Sequence, residues 1–113
     1  MSRRFILPLI FAGLSLAIMP AFAQAKGYLG VKIRMDPDGK GILIAEVLPG
    51  SPAAKGGLAP RDIIVKIDGT KPTLLTEFVE IVELKQPGLE VTLNILRDGK
   101  EKKVKVTVGE KNN

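Results

Sequence analysis

Apolar and polar residues alternate with period two in five stretches of the chain, the pattern of strands with one buried face. Val31 and Ile33 alternate with Lys32 and Arg34. Gly41 to Val47 is a second strand, with Ile42, Ile44 and Val47 inward. Ile63-Ile64-Val65-Lys66-Ile67 has one interior charge and reads as a central strand. Val91, Leu93 and Ile95, then Val104, Val106 and Val108, form a hairpin around the tight turn Asp98-Gly99. Between Leu74 or Leu75 and Lys85 the period becomes helical: Leu75, Phe78 and Val82 share one face, Val79 lies at its margin, and Glu77, Glu80 and Glu83 line the other side. Ser51-Pro52-Ala53-Ala54-Lys55 starts a shorter helix, with serine as the cap and proline at the first helical position, and Gly56-Gly57 stops it. Turns are marked by Asp36-Pro37-Asp38-Gly39, Leu48-Pro49-Gly50, Asp68-Gly69 and Pro87-Gly88. The order predicts an α+β, mainly β fold: a small, partly open antiparallel barrel or sandwich of five to six strands, with two helices plugging its ends. The polar tail, residues 110–113, is expected to fray.

The first residues fall outside that pattern. Arg3 and Arg4 precede an apolar run from Phe5 to Ile18, and Ala21-Phe22-Ala23 offers small residues to a signal peptidase. Residues 1–23 therefore read as a secretory signal peptide, cleaved after Ala23 or Ala25, and 24–113 as a single domain. The run is too short for a membrane anchor, so a periplasmic protein with no stable anchor after cleavage is expected. Removing Arg3 and Arg4 from 17 basic residues, against 12 acidic ones, leaves a net charge of +3. That charge is interleaved, and Tyr28 and Phe78 are the remaining aromatics, so no nucleic-acid surface is expected. Lys102, Lys103 and Lys105 form the densest basic cluster, alternating with valine in the manner of a solvated strand face. Cysteine is absent, so the exported fold must rest on its apolar core.

Catalytic chemistry has little to work with. Histidine is absent, and Ser51 is the serine left after residue 23, which removes the Ser-His and Cys-His arrangements and the preferred zinc ligands. Asp36 and Asp38 stand in a D-x-D-G frame, but Arg34 occupies the place of an earlier calcium ligand. Asp62 and Asp68 could form an acid–base pair, yet each reads better as a turn residue at a strand end. The expectation is a protein that is not an enzyme and carries no cofactor. Lys26-Gly27-Tyr28-Leu29-Gly30-Val31-Lys32-Ile33 suggests binding instead. A glycine-flanked turn can direct successive N–H groups into one anion-binding concavity, and the following strand can offer its edge to an added peptide strand.

Several segments together resemble a PDZ domain of the periplasmic HtrA type: Gly27-Tyr28-Leu29-Gly30-Val31, Val47-Leu48-Pro49-Gly50-Ser51-Pro52-Ala53-Ala54, Gly57-Leu58, Asp62 to Gly69, and Leu93 to Lys100. The resemblance covers nearly all of residues 24–113, in the bacterial, permuted order, in which the carboxylate-binding strand comes first and its sheet partner last. It implies that the N–H groups of Leu29, Gly30 and Val31 hold a peptide's terminal carboxylate, with Tyr28 in the same turn and Lys26 adding charge. It implies strand addition along Val31 to Ile33 and a pocket for the last side chain between Val79 and Val82 on the longer helix and Leu29 and Val31 opposite. The residue pattern leaves Val82 open to either pocket or core. The small apolar walls suggest peptides or protein C-termini ending in Val, Leu or Ala. Arg61 departs from the family, which usually has glycine before the aspartate. The expected function is a stand-alone, non-catalytic module that acts as adaptor or regulator for an envelope protease, secretion component or assembly; the alternative is an interaction domain using its lysine-rich last strand.

Overall fold

The computed structural model describes residues 25–111, so the reading of residues 1–23 as a signal peptide lies outside the described residues. Among the described residues seven strands and two helices follow one another: β1 (Gly27–Tyr28), β2 (Val31–Met35), β3 (Ile42–Val47), α1 (Pro52–Gly56), β4 (Ile63–Ile67), α2 (Leu75–Leu84), β5 (Glu90–Arg97), β6 (Lys100–Thr107) and β7 (Gly109–Glu110). Five strands form an antiparallel sheet in the order β2-β3-β4-β5-β6, and β1 pairs with β7 in a separate ribbon. β4, with its single interior charge, is the middle strand. Among the described residues no helix is long and apolar enough to cross a membrane.

The alternation seen in the sequence sets the core. Ile42, Ile44, Ile64, Ile67, Val91, Leu93, Ile95 and Val106 are fully buried on one face of the sheet. The β5–β6 register pairs Val91 with Val106 and Leu93 with Val104, which puts all four on that face. The hairpin turn places Asp98 at φ 55° and Gly99 at φ 77°, the two successive positive values of a type I′ turn. α1 packs on β6, and α2 packs on β1 and β2.

Both helices begin as their end residues dictate. Ser51 caps α1 by accepting the N–H of Ala54 at 3.2 Å, and Pro52 fills the first helical position. Gly57, at φ 92°, ends it in the left-handed region. At the start of α2 the side chain of the N-cap residue Leu74 has no polar atom, so the cap is one-sided. Glu77 reaches back to accept the N–H groups of Thr73 and Leu74 and the Thr73 hydroxyl, at 2.6–3.1 Å. These bonds from Thr73 and Leu74 hold the Glu77 carboxyl below its ordinary pKa.

Two expectations are corrected. The tail was expected to fray from Glu110, but Glu110 pairs with Gly27 across β1–β7, and the Lys111 N–H donates to Lys26 O at 2.9 Å. The carboxylate-binding strand was expected to pair with the last strand. β2 instead pairs with its sequence neighbour β3, and β1 takes the last strand, β7. A two-residue strand has too few positions to display a period, so neither Gly27–Tyr28 nor Gly109–Glu110 reads as a strand in the sequence.

Candidate functional site

The region Gly27–Ile33 owes its shape to two glycines and to what lies behind them. A Cβ on Gly27 would collide with the carbonyl oxygen of Val82, so β1 can run beneath the C-terminal turn of α2 only with glycine there. That turn is tied to the sheet from the other side. Lys85 Nζ donates to Asp68 Oδ2 at 2.7 Å, and Asp68 Oδ1 accepts the Thr92 N–H at 2.9 Å. Burial pushes the Asp68 carboxyl up, but the Lys85 ammonium and the Thr92 N–H outweigh it and hold the group below its ordinary value.

Between β1 and β2 the chain turns through Leu29 and Gly30. The Ala53 N–H donates to Leu29 O and the Leu48 N–H to Gly30 O, both at 2.9 Å. A trans peptide plane points its carbonyl and its N–H in opposite directions. Anchoring those two carbonyls at the back therefore turns the N–H groups of Gly30 and Val31 forward. Among the described residues, the N–H groups of Leu29 and Gly30 find no acceptor. Gly30 sits at φ 84°, and a Cβ there would collide with Ser51 Cβ.

Among the described residues β2 is an end strand, and none of them pairs with its outer border. Leu48 bonds to Gly30 and the Asp36 N–H to Gly41 O, which fixes the even-numbered residues of this stretch as the ones bonded to β3. The antiparallel alternation then sends the N–H and C=O groups of Val31, Ile33 and Met35 to the open side. Beside this border runs a groove of about 200 Å³. That is smaller than the roughly 300–1,000 Å³ of sites that enclose small molecules, and suits one or two side chains of an extended chain.

Seven of the eight residues singled out in the sequence meet in this groove: Tyr28, Leu29, Gly30, Val31, Ile33, Val79 and Val82. Leu29 is buried and also borders the groove. Val79 is 40% exposed and overhangs the groove, whereas Val82, 6% exposed, serves both core and groove wall. Lys26 is not in the groove wall; it is exposed and borders a separate hollow beside Glu80, Glu83 and Glu110.

The cation at the groove is Lys111, which the sequence reading did not single out. Its ammonium donates to Glu83 Oε2 at 3.1 Å, and both side chains line the groove. The Lys111 hydrogen bond depresses the Glu83 carboxyl against the opposing effect of burial, and the charges of Lys111 and Lys26 add to the depression. No local signal in the sequence could have found Lys111, because the β1–β7 pairing alone brings it there.

The other chemical candidates lie outside the groove. Asp62 is 1% exposed and accepts the Ala59 N–H at 2.9 Å and two Arg97 donors at 2.8 and 2.6 Å. Arg97 also donates to Gly57 O at 2.8 Å, and its pairing with Asp62 raises its pKa further. Asp62 is thus an internal staple between the loop that follows α1 and Arg97 of β5. Among the described residues no acidic group converges to hold a metal ion. Arg61, in the glycine position noted above, has φ 77° and so carries the strain that a glycine would avoid.

Comparison with known proteins gives a consistent result. The profile of the PDZ domain family matches residues 27–108. A probable periplasmic serine endoprotease, DegP-like, of Pseudomonas fulva is 34% identical over 121 residues, covering 88% of this chain and 25% of the relative. The corresponding protein of Hahella chejuensis is 35% identical over 98 residues, covering 78% of this chain and 21% of the relative. The structure of the HtrA-type protease AlgW with tripeptide superposes with a TM-score of 0.74 at 27% identity, covering 95% of this chain and 38% of that one. The chain thus spans a quarter or less of the length of these curated relatives.

Proposed function

Since the chain belongs to the PDZ domain family, a family of peptide-binding modules, we propose that it is a non-catalytic periplasmic binder of protein C-termini and extended segments. A ligand's terminal carboxylate accepts the N–H groups of Leu29, Gly30 and Val31. Its last residues add to β2 as an antiparallel strand, and its final side chain, a Val, Leu or Ala, enters the groove between Val79 and Val82. Residues 1–23 serve as the export signal, and no stable membrane anchor remains after cleavage. The partner is an envelope protease or a secretion or assembly component, for which the module acts as adaptor or regulator.

One observation carries this reading: the carbonyls of Leu29 and Gly30 are anchored from behind while the border of β2 is open in front. Amide donors and an unpartnered strand edge side by side suit a chain end better than any small molecule. The periplasmic assignment draws support from the relatives, which are periplasmic serine endoproteases by name.

The test is a titration with a short valine-ended peptide, as free acid and as C-terminal amide. The acid is expected to bind in the micromolar range and the amide at least tenfold more weakly. Equal binding of the two would end the carboxylate assignment. Val79→Arg should block both peptides, whereas reversing the charge of Lys102, Lys103 and Lys105 should leave both unchanged. The opposite pattern would move the interaction to the lysine-rich strand.

A further inference from the structure

The groove's charge comes from a part of the chain far from the glycine turn. β7 pairs with β1 through Gly27↔Glu110 and Tyr28↔Gly109, and the Lys111 N–H donates to Lys26 O at 2.9 Å. These bonds fix the main chain of Lys111 beside Lys26, three residues before Leu29. Its side chain lines the groove and meets Glu83, 3.1 Å away, on the last turn of α2. Lys111 and Glu83 retain 43% and 27% of their side-chain exposure, so an incoming ligand can reach both.

We infer that Lys111 and Glu83 are an opposed pair of specificity residues: Lys111 attracts the ligand's terminal carboxylate, and Glu83 competes for the same ammonium and repels the carboxylate. This rests on the groove reading above. With both present, the local charge is near zero, and the peptide carboxylate must share Lys111. Removing Lys111 leaves Glu83 as an uncompensated negative charge beside an arriving anion. Removing the charge of Glu83 leaves Lys111 wholly to the ligand. The two substitutions therefore push carboxylate recognition in opposite directions, which a merely structural ion pair would not do. Lys26 is the contrasting cation: it stands outside the groove wall and acts on Glu83 through its charge alone, the weakest of the effects on that carboxyl, without a hydrogen bond to it.

The experiment measures the affinity ratio of the valine-ended acid and its amide for the wild type, Lys111→Met, Glu83→Gln, the double variant and Lys26→Met. A partly exposed charge-assisted contact shifts affinity by roughly fivefold. Lys111→Met is expected to lower the acid-to-amide preference by about that factor and Glu83→Gln to raise it by about threefold, on the same electrostatic scale. The double variant should fall between them, Lys26→Met should change the ratio by less than about twofold, and Lys111→Arg should retain the wild-type preference. Amide binding should stay constant throughout. A wild type that ignores the carboxylate removes this inference together with the groove reading. If the wild type discriminates and Lys111→Met discriminates equally, or if Lys111→Met and Glu83→Gln shift the ratio in the same direction, the pair is structural and only this inference falls.

Discussion

Gly30→Ala tests whether the turn's shape is what makes the site. Gly30 sits at φ 84°, where an L-residue is strained by about 1–2 kcal/mol. Alanine regains about 0.4–1 kcal/mol by restricting the unfolded chain. The added Cβ also collides with Ser51 Cβ and lies 2.9 Å from its Oγ. Ser51 cannot retreat freely, since it is buried, caps α1, and gives its N–H to Leu48 O at 3.2 Å. Forcing such an overlap costs about 1–3 kcal/mol more, so Gly30→Ala should lose about 2–4 kcal/mol in all. Gly39 supplies the control: its φ is 75°, but no atom lies within 4 Å of a built Cβ. Gly39→Ala should therefore lose only about 0.5–1 kcal/mol, the strain without the collision. Urea unfolding measures both, and the gap should separate their melting temperatures by roughly 8–16 °C. The turn can relieve the overlap only by moving its amides. Misaligning even one charge-assisted hydrogen bond, worth about 1.5–3 kcal/mol, should weaken carboxylate binding at least about tenfold. If Gly30→Ala were no less stable than Gly39→Ala, or kept the wild-type preference for a free carboxylate, the turn would not be the rigid element described here.

Arg61→Gly should stabilise the domain by about 0.5–1 kcal/mol, because φ 77° suits glycine and the N–H bond from residue 61 to Ile44 O is kept; a lower urea midpoint would contradict this. Asp62→Ala should cost about 2–3 kcal/mol, less than for a wholly buried pair because the Arg97 side chain keeps 30% of its exposure to water; thermal unfolding reads it. Acid stability follows from depressed carboxyls. Glu77, Glu83 and Asp68 lie below their ordinary values of 4.5, 4.5 and 3.8 when folded, so their contribution is complete above those values and lost as the pH falls through the folded ones. With no histidine in the chain, the melting temperature should be nearly flat from pH 7 to about 5 and decline below about 4.5. A marked loss between pH 7 and 5 would mean that some other group governs it.

Where a segment is long enough to display its period, the sequence made the fold legible. The valines of β6 and the isoleucines of β3 and β4 announced their buried face, and Ser51-Pro52 and Asp98-Gly99 announced a cap and a turn through their own backbone preferences. Legibility failed where geometry depends on a distant partner. Gly109–Glu110 reads as a polar tail, and only Gly27 and Tyr28 across from it make it a strand. Lys26 drew the charge assignment through the resemblance, because it stands just upstream of Gly27 where that family often has a basic residue, but a position in the sequence does not fix where a side chain points. Lys111 enters the groove because the ribbon brings it there. Val82 could not be assigned to pocket or core from its helical position, since the groove lies where α2 passes from one to the other.

The same dependence explains why the site needs so much of the chain behind it. The amides that face the groove have no fixed direction of their own; they point forward because Leu48 and Ala53 hold the carbonyls of Gly30 and Leu29. Leu48 follows β3 directly, and Ala53 lies in α1, so the short helix orients the amides of the turn without itself lining the groove. The opposite wall depends on α2, whose C-terminal turn is fastened through Lys85 to Asp68 and pressed on Gly27. Loosening either anchor should change the groove without altering any residue that lines it. Asp68→Asn, which keeps the acceptor for Thr92 but removes the charge facing Lys85, is the mildest way to do so. It should weaken peptide binding by a few-fold for acid and amide alike, because it moves the wall and not the amides. A selective loss of the acid alone would show that α2 and the carboxylate turn are coupled more tightly than these contacts imply.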